Sequence, residues 1–116
     1  MQMEKDTPRV LPYISQPSHC SLFIAIISYK QSMEMVQKHL EDHRTFLNQC
    51  YEKGKFLISG RQVPSEEGGI IIAKVDSKEE LTLLLQEDPF YKKEIADFKI
   101  IEFTPTKYLQ IFQDIV

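Results

Sequence analysis

His43 is the residue whose type and place most directly suggest chemistry. It falls between Leu40 and Leu47 on a stripe that runs Val36, Leu40, His43, Leu47, Cys50, with steps of four, three, four and three. That spacing writes the apolar face of a helix, so the imidazole is directed inward. An inward histidine must find a hydrogen-bond partner, because an unpaired buried imidazole costs about 1–3 kcal/mol. A backbone carbonyl would meet that need and leave a purely structural residue. A carboxylate would do more: by holding one ring nitrogen it fixes the tautomer and frees the other nitrogen as a general acid or base. Asp88 is the candidate. It precedes Pro89, which disfavours helical backbone at Asp88 and ends a second helix in an Asp-Pro-Phe corner. Such corners are also ordinary punctuation, so spacing alone leaves both readings open.

Ser59, Gly60 and Arg61 form a second group. They offer a hydroxyl, a side-chain-free position and a guanidinium able to attract a carboxylate at the mouth of a cleft. No G-x-S-x-G elbow surrounds Ser59, so it is expected to line a site and not to act as a nucleophile. His39 lies four residues before His43, but no Glu follows it directly and no third ligand stands at metal spacing. No metal site is expected. Gly68-Gly69 lacks a phosphate-loop pattern and reads as turn chemistry. Cys20 and Cys50 are too few for a disulfide framework and are given no chemical role. Nothing in these groups calls for an organic cofactor.

These side chains need a scaffold, and the hydrophobic pattern supplies one. Leu22 to Tyr29 is almost continuously apolar and β-branched, which predicts a central strand. Ser32 is a candidate N-cap with Glu34 in the first turn, and the His43 stripe predicts one helix of about five turns ending at Gly54. Residues 55–59 and 70–75 predict two strands joined as a hairpin through a loop over 61–68. Ser77-x-x-Glu80 is a capping box ahead of Leu81, Leu84 and Leu85, so a shorter helix begins there. Residues 98–103 predict a fourth strand stopped by Pro105. The segment from Tyr108 to Val116 fits either a short helix or an extra strand.

The order β-α-β-β-α-β predicts an α+β, ferredoxin-like fold with an antiparallel sheet and both helices on one face. A groove between the helices could then bring His43 and Asp88 together. The strand over Leu22–Tyr29 is apolar on both faces, Phe23/Ala25/Ile27 on one and Leu22/Ile24/Ile26 on the other, so the sheet face without helices would leave one set uncovered. At about 25 cal/mol per Å2, exposed bulky side chains of that kind cost many kcal/mol, and two sheets packed face to face remove the cost. A homodimer is the expectation.

The bulk properties agree. A chain of 116 residues suits one domain, with an extended arm over residues 1–20, the folded unit over 21–108 and a tail over 109–116. The net charge of −3 comes from singly scattered charges, which argues against nucleic acid as a partner. The strongly apolar run Leu22 to Ile27 is far too short to span a membrane, and no signal-peptide pattern opens the sequence. Cytoplasmic residence and no membrane association are expected.

Several of these stretches line up in order with one family. Asp42-His43-Arg44-x-Phe46-Leu47, Gly54, Phe56-Leu57-x-Ser59-Gly60, Gly68-Gly69-Ile70, Glu87-Asp88-Pro89-Phe90 and the closing stretch from Ile101 to Tyr108 resemble the YciI family, also called YCII-related proteins. The resemblance implies a dimeric α+β barrel of ferredoxin-like protomers, with a His and an Asp in a cleft at the positions of His43 and Asp88. Arg61 departs from the family pattern, where a Pro often follows the Ser-Gly pair. The leading expectation is a cofactor-independent enzyme of isomerase or lyase type, moving a proton on a small organic acid. The alternative is a non-catalytic small-ligand-binding or dimeric interaction module.

Overall fold

The computed structural model describes residues 10–116 of the chain. Four strands form an antiparallel sheet: β2 (Leu22–Tyr29), β3 (Phe56–Arg61), β4 (Gly68–Ala73) and β5 (Ala96–Phe103), in the spatial order β3-β4-β2-β5. The two central strands come from the most apolar segments, as burial on both flanks requires. In β2, Phe23, Ala25 and Ile27 are buried, and they lie opposite Ala73, Ile71 and Gly69 of β4. The alternate set Leu22, Ile24 and Ile26 occupies the other face. With helices between its first and second and between its third and fourth strands, this α+β sheet has the connectivity of a ferredoxin-like unit.

The first helical region is two segments, α1 (Met33–Lys38) and α2 (Leu40–Glu52), where the periodicity predicts one. Ser32 caps α1 through Met35 N–H. The break is at His39, whose φ of −110° and ψ of 10° leave the helical basin. Val36 of α1 and His43, Phe46 and Cys50 of α2 are all buried. The same apolar face runs through both segments, so the spacing of apolar residues is blind to the interruption. Gly54, at φ 71°, ends α2 in the left-handed conformation.

The third helix, α3 (Lys78–Leu85), starts as a capping box should: Ser77 Oγ accepts Glu80 N–H. The return bond from Glu80 reaches Asp76 N–H, one residue further out. A one-turn helix, α4 (Pro89–Lys92), follows. Strands β3 and β4 run further toward each other than expected, taking in Arg61 and Gly68 and shortening the loop between them. Gly68 has a φ of 138°, and a Cβ there would stand 1.8 Å from the Ile27 carbonyl oxygen. Only glycine lets β4 begin this close to β2.

The tail is both things the sequence allows. Tyr108–Leu109 forms a strand, β6, paired antiparallel with β1 (Tyr13–Ile14), and a single 3-10 turn follows at Gln110–Phe112. The expected arm is therefore partly tied to the tail, and its first nine residues lie outside the described ones. Among the described residues no helix is long and apolar enough to cross a membrane.

Candidate functional site

Asp88 is positioned by the break between α3 and α4. Pro89 holds it in extended backbone, with φ −71° and ψ 130°, and Pro89 itself takes the first position of α4, where its missing N–H is no loss. From there Asp88 Oδ1 accepts Phe90 N–H at 2.9 Å, so the carboxylate caps the helix that follows it. Asp88 is completely buried. A buried carboxylate needs partners for its remaining lone pairs.

The other partner is His43. Its Nδ1 stands 2.9 Å from each carboxylate oxygen of Asp88. The imidazole also lies flat on Phe90, with ring centroids 4.1 Å apart and planes 3° from parallel. One short stretch, Asp88 to Phe90, thus fixes both the hydrogen bond and the tilt of the ring. A carboxylate acceptor at Nδ1 puts the hydrogen on that nitrogen and leaves the Nε2 lone pair available. Nε2 has no partner among the described residues, and none of their partnerless side-chain nitrogens or oxygens is sealed from solvent. It opens on a cleft of about 490 Å3 between the α1–α2 region and the ends of β2, β3 and β4.

The far wall of this cleft depends on a β-bulge. Phe56 pairs with Ala73 and Ile58 with Ile72, so β3 spends two residues where β4 spends one. The extra residue reverses the alternation beyond it. Ser59 then pairs with Ile71 and Arg61 with Gly69, on the helix side of the sheet. Uninterrupted alternation from Phe56 would have put both on the opposite face. Ser59 Oγ lies 2.7 Å from the Tyr51 hydroxyl, which reaches over from the last turn of α2. Arg61 has no carboxylate partner among the described residues.

The cleft is cationic within an acidic chain. Arg44 and Arg61 line it and no Asp or Glu does, although the sequence carries a net charge of −3. Arg44 is shared with Glu41, at 3.1 Å on the exposed side of α2. Asp88 lies behind the imidazole. Its negative charge is felt by two neighbours. Burial pushes the Tyr29 phenol above its ordinary value, Asp88 adds to that push and Arg61 opposes it. Tyr29 packs edge-on against Phe90, with centroids 5.7 Å apart. Burial likewise pushes the Cys50 thiol up to about 11, with Lys53 opposing and Asp88 adding. A thiol so disposed stays protonated and behaves as a small apolar filler.

The residues singled out in the sequence come together as follows. His43, Ser59, Gly60 and Arg61 all border the one cleft, and Asp88 supports it from behind His43. His39 sits at the helix break and does not line the cleft. Tyr51, Phe90 and Arg44 also belong to the site, and the sequence reading gave them no part in it. Arg44 follows His43 directly and was within reach of spacing arguments, whereas the contact of Tyr51 with Ser59 and the stacking of Phe90 on His43 come only with the tertiary fold.

Comparison with known proteins adds a lineage to this geometry. Residues 21–104, well over half of the chain, match the YCII-related domain. A search of curated proteins returned no match. The matched span opens just before β2 and closes just after β5, so it takes in the whole four-stranded sheet, its helices and every residue of the cleft. The chain belongs to the YCII-related domain family.

Proposed function

We propose that this protein is a cofactor-independent enzyme of isomerase or lyase type that moves a proton on a small organic acid. His43 Nε2 takes and returns the proton, Asp88 orients the ring and stabilises the imidazolium that forms, and Arg61 receives the substrate carboxylate. Ser59 and Gly60 line the binding surface beside Arg61. The observation that carries this reading is the buried His43–Asp88 pair whose free ring nitrogen opens on a cleft lined by two arginines and no acid.

A thermal-shift screen of small carboxylic and oxo acids, run on wild type and His43→Ala, tests it. Acids that raise the melting temperature of the wild type then serve as trial substrates. Stabilisation through Arg61, together with turnover abolished by His43→Ala, is the expected result. Full turnover by His43→Ala would remove the proposal. The non-catalytic reading keeps one specific support: Asp88 also caps α4, so the pair joins α2 to the proline corner whether or not any reaction occurs.

We also propose that the protein functions as a homodimer through the open sheet face. Ile58, Ile101 and Phe103 are 58%, 39% and 40% exposed there. Leu22, Ile58, Ile72 and Phe103 join Phe112 and Ile115 of the tail around an apolar hollow of about 580 Å3. Apolar surface on this scale is well accounted for by a partner sheet.

A further inference from the structure

Tyr51 stands on the same stripe of α2 as His43 and Leu47, at successive steps of four. Its ring is set edge-on to Phe56, with centroids 6.2 Å apart and planes at 89°, and its hydroxyl reaches Ser59 Oγ at 2.7 Å. A serine hydroxyl has one hydrogen to donate and two lone pairs to accept with. A phenol is the stronger acid of the two, so Tyr51 O–H donates to Ser59 Oγ. Tyr51 is the only hydrogen-bond partner of Ser59 Oγ among the described residues. The Ser59 hydrogen is therefore left for a ligand in the cleft that His43 and Arg61 also line. A hydroxyl that is itself receiving a hydrogen bond is a stronger donor.

We propose that Ser59, polarised by Tyr51, is a binding site for the oxygen that gains negative charge, and that the substrate is accordingly an oxo acid. This rests on the proton-transfer reading and names its substrate class. The carboxylate sits on Arg61, and the carbonyl oxygen accepts the Ser59 O–H. His43 Nε2 removes a proton from the carbon next to the carbonyl. The C–H electron pair becomes the C=C bond of an enolate, and the carbonyl π pair moves to the oxygen held by Ser59. The imidazolium, stabilised by Asp88, then returns the proton to a carbon of the enolate system and the carbonyl re-forms. Atoms and electrons balance with no oxidant or reductant. Tyr51, acting through Ser59, is a positioning residue.

The test compares two probes by calorimetric titration. Oxalate has the planar O–C–C–O frame of a 2-oxo acid enolate, and propionate carries a carboxylate alone. Wild type is expected to prefer oxalate. Ser59→Ala, which removes the charge-assisted hydrogen bond itself, is expected to weaken oxalate about tenfold; Tyr51→Phe, which keeps that bond but not its polarisation, is expected to weaken it about threefold; both leave propionate within about twofold. Tyr51→Phe keeps the ring against Phe56, and urea unfolding of each variant separates a folding defect from a binding one. Unchanged oxalate affinity in both variants, or no preference for oxalate in wild type, overturns the oxyanion role and leaves the His43 proposal standing. Failure of both acids to bind wild type overturns the organic-acid reading and this one with it.

Discussion

Asp88 meets His43 with both of its carboxylate oxygens, each 2.9 Å from Nδ1, while one of them also accepts Phe90 N–H. The same carboxylate therefore serves a helix cap, an imidazole and, through Phe90, the plane in which the imidazole lies. Local structure and chemistry are joined at one residue, and substitutions there separate the two.

Asp88→Ala removes the cap and leaves a buried imidazole without a partner. Loss of about 2–4 kcal/mol of stability is expected, measured by urea unfolding. Asp88→Asn keeps an oxygen for Phe90 N–H but presents either a neutral acceptor or an amide donor to the ring. It is expected to retain more stability than Asp88→Ala and to lose the ligand response of His43. Equal stability of Asp88→Ala and wild type would show that the pair contributes nothing to the fold.

Gly68→Ala and Gly60→Ala should differ sharply although both glycines lie in neighbouring strands. A methyl at position 68 meets the Ile27 carbonyl at 1.8 Å, and φ is 138°. A methyl at position 60 meets nothing within 4 Å. We expect Gly68→Ala to lose at least about 3 kcal/mol or to fail to fold, and Gly60→Ala to stay within about 1 kcal/mol of wild type. Chemical denaturation of the two side by side decides it.

Stability should fall at both ends of the pH scale for separate reasons. The hydrogen bond from Lys55, 2.7 Å away, holds the Glu80 carboxyl below its usual value, helped by Asp76 N–H. A lowered folded value means the contribution is present above the ordinary carboxylate range and lost as pH falls through the folded value. Glu80→Gln should flatten that acid limb. Cys50 has the opposite sign: its thiol is pushed up from 9.0 to about 11, so its contribution is full below pH 9 and lost between pH 9 and about 11. Unfolding measured from pH 8 to 11 should show a shallower alkaline slope in Cys50→Ala than in wild type. At pH 8 a thiol reagent should label Cys20, which is exposed, far faster than buried Cys50.

The homodimer proposal depends on the open sheet face staying apolar. Ile58→Glu places a charge beside Ile72, on the apolar hollow that Phe103 also lines, without touching the buried core of the protomer. Sedimentation velocity is expected to show a dimer for wild type and a monomer for the variant. A wild-type monomer at tens of micromolar would contradict the proposal.

The order of strands and helices was legible because alternation and apolar stripes report burial, which is what they encode. The stripe turned His43 inward, and the proline at 89 took Asp88 out of the helix toward it. What escaped the sequence depended on partners. The bulge between Phe56 and Ile58 exists only relative to β4, so nothing within Phe56-Leu57-Ile58-Ser59 reveals that Ser59 and Arg61 change faces. The helix break at His39 leaves the apolar stripe intact. Tyr51 reaches Ser59 across the turn at Gly54, a contact that spacing along α2 alone does not disclose. Phe90 could be read as a corner residue, but its stacking on His43 needs the tertiary fold.

Nitrogen-15 NMR of the His43 imidazole tests the central claim most directly. The account predicts a ring with its hydrogen on Nδ1, held by Asp88, and a free Nε2 whose resonance moves when a small carboxylic acid enters the cleft. It also predicts that Asp88→Asn abolishes this response. A ring with its hydrogen on Nε2, or an Nε2 resonance indifferent to every acid that binds, would contradict it.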